Sequence, residues 1–105
     1  MDRLQADWPA LKRKPFSFAA GADPQEVVAA VAGKVIRVIF CDYEVAEAAT
    51  AVLYSGAATA IGPEVGRSRI WPPCYAGWCE TAAGEALKLK ATGGAVKGLV
   101  GYIEA

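Results

Sequence analysis

Runs rich in Val, Ile, Phe and Tyr recur along this chain, and glycine or proline closes nearly all of them. β-Branched and aromatic side chains fit a pleated, half-buried surface better than a helix. Spaced about 8 to 12 residues apart with turn signals between, such runs describe a sandwich or barrel. The expected class is therefore all-β. The architecture is an antiparallel β-sandwich or jelly roll of about seven to nine short strands, preceded by an extended N-terminal arm.

The strongest strand signal is KVIRVIFCDYEV, residues 34–45. Strict alternation would put Ile36, Val38 and Phe40 on one face, and Val35, Ile39 and Cys41 with Arg37 on the other. Both faces are apolar at its start, which predicts cover on both sides. QEVVAAV at 25–31 reads equally as helix or strand. Residues 50–54 (TAVLY), a short element near 59–61, the run 65–71 and residues 78–81 read as strands. In 85–91, Leu87 and Leu89 alternate with Lys88 and Lys90, as a half-exposed strand requires. Thr92-Gly93-Gly94 reads as a hairpin loop leading into a closing strand over 95–103.

Residues 1–14, MDRLQADWPALKRK, differ from the rest, so the expected division is an arm over 1–14 and a sandwich over 15–105. Pro9 interrupts the helical face that Leu4, Trp8 and Leu11 would share. Fully extended, such a segment reaches on the order of 45 Å, far enough to touch a neighbour. On this reading Trp8 is its apolar anchor, and Lys12, Arg13 and Lys14 meet acidic partner groups; the plainer alternative is a frayed terminus.

Chemistry is constrained by what the chain lacks. Its 105 residues include no histidine and no asparagine. Serine and cysteine triads and imidazole zinc sites are thereby excluded, and acid–base work would fall to carboxylates or lysines. Asp42, Glu44 and Glu47 are the nearest thing to a carboxylate group; on a strand the first two share a face about 7 Å apart. They lack the spacing of a calcium loop, and the plainer reading is a solvated strand end. No phosphate-binding glycine motif occurs. Eleven basic residues balance eleven acidic ones, which is not the charge of a general nucleic-acid binder. Cys41, Cys74 and Cys79 form no CxxC motif and read as buried, reduced hydrophobes; a turn could bring Cys74 and Cys79 together. No secretory signal pattern or apolar stretch of membrane-spanning length is visible, so synthesis in a cytoplasm is expected. Neither catalytic residues, a cofactor nor a metal is anticipated.

The most suggestive local feature is the aromatic set Trp71, Tyr75 and Trp78, interleaved with Pro72, Pro73 and Gly77. These rings either fold back as a plug on the sandwich edge, meet a partner protein, or stack on a sugar. No amide side chain lies nearby in sequence to bind hydroxyls. Arg67 and Arg69 would share one strand face, and Lys88, Lys90 and Lys97 another, each a row that solvent or an acidic partner can satisfy.

Three motifs carry a family resemblance: VAAVAGKVIRV at 28–38, WCETAAGEAL at 78–87 and GLVGYIE at 98–104. With Tyr54-Ser55-Gly56 and Gly62-Pro63 between them, this pattern resembles a group of small β-rich structural proteins of tailed bacteriophages, of the capsid decoration or head accessory kind. The likeness covers about three quarters of the chain, from Gln25 to the C-terminus. It implies a non-enzymatic virion component on the capsid surface that binds the major capsid protein and itself, as a homotrimer by analogy with other shell proteins. It implies no nucleic-acid or membrane partner. The alternative is a host-recognition or carbohydrate-binding β-sandwich module of the virion.

Overall fold

The computed structural model describes residues 11–46, 49–62, 65–66, 69–74 and 76–105, without the side chains of residues 65, 66, 69 and 70. Among these, the regular elements are ten strands: β1 Lys12–Phe18, β2 Gln25–Val28, β3 Ile36–Val45, β4 Thr50–Ser55, β5 Thr59–Ala60, β6 Val65–Gly66, β7 Arg69–Trp71, β8 Cys79–Glu80, β9 Leu87–Thr92 and β10 Val96–Glu104. All pairings are antiparallel. One sheet runs β1-β10-β3, with β7 and β8 end to end along the far edge of β3. The other runs β2-β9-β4, with β5 and β6 along the far edge of β4.

This order is a jelly roll. β1 pairs with β10, β2 with β9, β3 with β8 and β7, and β4 with β6 and β5. The chain is thus one long antiparallel ribbon, its tip near β4 and β5, wrapped so that successive rungs fall in alternate sheets. The outcome is a slab of 41 × 28 × 19 Å.

Alternating side chains hold the two sheets together. Ala51, Leu53 and Ser55 of β4 point inward, as do Leu87, Leu89 and Ala91 of β9, with Lys88 and Lys90 outward as the sequence predicts. Facing them are Ile36, Val38, Cys41, Tyr43, Val96, Val100 and Phe16. Each fully buried Leu, Ile or Val contributes roughly 1.5–3 kcal/mol through removal from water.

Several expectations are corrected. The strict alternation expected for β3 breaks at Ile39, because Gly101 pairs with Phe40 while the next residue, Tyr102, pairs with Val38. Ile39 is the extra residue of a bulge, and it moves Cys41 onto the Ile36–Val38 face and sends Phe40 outward. The run 65–71 is not one strand: β6 belongs to the second sheet and β7 to the first. Nor is Thr92-Gly93-Gly94 a hairpin loop. β9 and β10 lie in different sheets, since their apolar faces bury each other across the core, not side by side. The ambiguous segment 25–31 is strand over Gln25–Val28, paired with β9. Finally, the domain boundary expected at residue 14 falls inside β1, which pairs with β10 from Lys12↔Tyr102 onward.

Candidate interaction surfaces

The basic run sits on an edge strand and not on a free arm. β1 has β10 on one side and no described strand on the other. Lys12 through Pro15 are exposed, and charge together with a proline is how natural edges resist unwanted pairing. Lys12 Nζ lies 2.8 Å from Glu104 Oε1. That hydrogen bond, helped by the carboxylate charge, raises the Lys12 pKa above its ordinary value. The Arg13 guanidinium stands 5.8 Å from the centre of the Phe40 ring, a cation–π arrangement. This contact follows from register, since Arg13, Gly101 and Phe40 are successive partners across three strands. A Cβ on Gly101 would overlap the Phe40 ring where it lies, so the glycine leaves room for this contact. Lys14 is exposed. Trp8 lies outside the described residues.

Asp42 and Glu44 project from the outer face of the first sheet and are exposed, while Glu47 lies outside the described residues. They border an open depression of 380 Å³ with Ser17, Lys97 and Leu99. Among the described residues no cluster of three or more His, Cys, Asp or Glu side chains is placed to hold a metal. Lys97 does not share a face with Lys88 and Lys90 as expected: it projects from β10 in the first sheet, and they from β9 in the second. Arg67 lies outside the described residues, as does the side chain of Arg69.

The aromatic set divides. Trp71 is half-buried and packs against the core, its ring 6.2 Å from Tyr43 at an interplanar angle of 70°. Trp78 is 47% exposed, the most exposed large hydrophobic among the described residues. The two indoles are 5.7 Å apart and tilted by 47°. Tyr75 lies outside the described residues.

The segment between β7 and β8 is tied to the β3 bulge. Cys74 N donates to Ile39 O at 2.9 Å, and Trp78 N donates to Val38 O at 2.8 Å. Gly77 has φ +88°, and a Cβ there would lie 2.5 Å from Arg37 Cγ, so both backbone and space call for glycine. Beside it Arg37 Nε donates to Glu80 Oε1 at 2.9 Å, an ion pair that no local sequence signal announces because its members lie 43 residues apart.

The cysteines are thiols. Cys41 is buried, and Cys74 and Cys79 are half-buried. Burial pushes the Cys41 thiol up to about 12, with lesser contributions from Cys79 and Asp42; burial pushes Cys79 up to about 11, assisted by Glu80. Such thiols are poor nucleophiles near neutral pH.

A second polar cluster closes one end of the slab. Ser55 Oγ donates to Glu85 Oε1 at 2.5 Å and accepts from Ala82 N at 2.9 Å. Thr81 Oγ1 accepts from Ile36 N at 2.9 Å. These bonds pin the loop before β9 against β3 and β4. Compared with known proteins, the chain matches no family model, no curated protein and no solved structure.

Proposed function

We propose that the chain is a non-enzymatic virion protein of a tailed bacteriophage, a capsid decoration protein that binds the major capsid protein, associates with itself as a homotrimer and stabilises the head. The observation that carries this reading is a jelly-roll slab whose first strand has no described strand beyond it at the sheet edge. Jelly rolls recur among viral shell proteins, which is support by analogy of fold. The physical support is local. β1 presents Lys12 to Pro15 to solvent at that edge, and the ten residues before Leu11, with Trp8 among them, lead the chain to it. A zero formal charge offers little resistance to close packing of copies. Contacts made only by the folded state add to its stability, an advantage for a chain of 105 residues.

Two measurements test the reading. Light scattering on the purified chain is expected to return three times 11.0 kDa. A variant lacking residues 1–10 retains every residue of the β1–β10 pairing and is expected to keep the parent's circular dichroism spectrum. It is expected to sediment with undecorated capsids at least tenfold more weakly than the full chain. Equal binding by both eliminates the arm, and a monomer with no affinity for capsids eliminates the function.

A further inference from the structure

A tryptophan left largely in solvent exposes an unusually large apolar ring. Trp78 is nevertheless held in place while 47% exposed. Its indole Nε1 donates to Pro72 O at 2.7 Å, its backbone N to Val38 O at 2.8 Å, and the ring lies against Trp71, which is itself rooted on Tyr43. The indole therefore loses little further freedom when it meets a ligand. Its single hydrogen-bond donor is already engaged, so what it offers is a π face and C–H edges. Such a plate suits a ligand that presents C–H groups.

Chain spacing and strand pairing bring polar residues close to Trp78. Gly77, next in the chain, packs on the aliphatic stem of Arg37. Glu80 is two residues from Trp78, roughly 7 Å along an extended chain. The Arg37–Glu80 pair keeps side-chain exposures of 32% and 48%. One guanidinium N–H and one carboxylate oxygen serve their mutual bond, which leaves further donors on Arg37 and the second oxygen of Glu80 to meet a ligand. An apolar plate flanked by paired donors and acceptors is the complement of a pyranose ring with equatorial hydroxyls. Such a ring has axial C–H groups on its faces, and its rim hydroxyls both donate and accept.

We infer that Trp78, with Arg37 and Glu80, forms a binding site for equatorial pyranosides. The site is independent of the capsid reading and would operate on a decoration protein or a host-recognition module alike. One plate and one ion pair give weak affinity, of about millimolar order per copy, which repetition on a particle multiplies.

The test is a titration of the isotopically labelled full chain with cellotriose and with chitotriose, following the Trp78 indole N–H resonance and the backbone amides of Gly77 and Glu80, which also report on Trp78→Ala. A saturable shift with at least one of them is expected. Trp78→Ala should weaken that binding at least tenfold and Glu80→Gln several-fold, each with an otherwise native spectrum, while Lys88→Gln on the opposite sheet leaves it unchanged. Absence of a saturable shift with both saccharides overturns the site, as does undiminished binding by both Trp78→Ala and Glu80→Gln. Capsid protein that perturbs the Trp78 resonance when neither saccharide does would also overturn it, making the ring a protein contact.

Discussion

Two glycines of β10 separate backbone clashes from side-chain clashes. A Cβ on Gly98 would collide with the carbonyl oxygen of Asp42 and lie 2.6 Å from Tyr43 Cβ and 2.8 Å from Tyr43 Cα. Relief requires β10 and β3 to separate at the centre of the sheet. That forfeits ladder hydrogen bonds worth about 1 kcal/mol each and adds overpacking strain of about 1–3 kcal/mol. Gly98→Ala should therefore cost at least about 3 kcal/mol, a large share of the roughly 5–15 kcal/mol that holds a domain together. The atoms nearest a Cβ on Gly101 belong to the outward ring of Phe40, which can swing aside. Gly101→Ala should cost about 1 kcal/mol, at the low end for overpacking. At about 4–8 °C per kcal/mol for a domain near this size, the melting temperatures should fall by about 15 °C and about 5 °C. Thermal unfolding followed by circular dichroism at one fixed protein concentration measures both. In the background of Phe40→Ala the cost of Gly101→Ala should vanish, while that of Gly98→Ala should persist. Equal losses for the two glycines, or no rescue by Phe40→Ala, would refute the packing described for the first sheet.

Thr81→Val keeps the shape but strands the buried Ile36 N–H, so urea unfolding should show a loss of about 1–3 kcal/mol; an unchanged midpoint would deny the bond a structural role. Ser55→Ala removes the acceptor of Ala82 N and the donor to Glu85, with a loss of similar order. Cys41 and Cys79 keep their protons in the fold up to about 12 and about 11, against an ordinary 9.0. The unfolded chain releases those protons first, so stability is fully present below pH 9 and declines as pH rises toward the folded values. Melting curves across that window should fall more gently for the double variant Cys41→Ala, Cys79→Ala than for the parent.

What the sequence makes legible depends on contrast between the two faces of a strand. In β9, Leu and Lys alternate, so both strand and orientation can be read. In β3 residues of both parities are apolar around position 39, and no pattern marks where the bulge falls. Only its pairing with β10 fixes that point. The outward Arg13–Phe40 contact follows from the same hidden register. The division of 65–71 and the crossing between β9 and β10 were illegible for a related reason: local turn chemistry reports a break but not which sheet the next strand joins. At the candidate sites, Trp78 is legible as an aromatic in a proline-bounded segment, whereas Arg37 comes beside Glu80 only through pairing of segments far apart in the chain.

The central proposal is a slab that works by attaching to a repeated surface. The most direct measurement is saturation of undecorated capsids with purified protein, the bound copies counted by mass. A plateau at a fixed whole-number ratio to the capsid symmetry sites is the expected result. Uptake that never saturates, or no uptake at all, would contradict it.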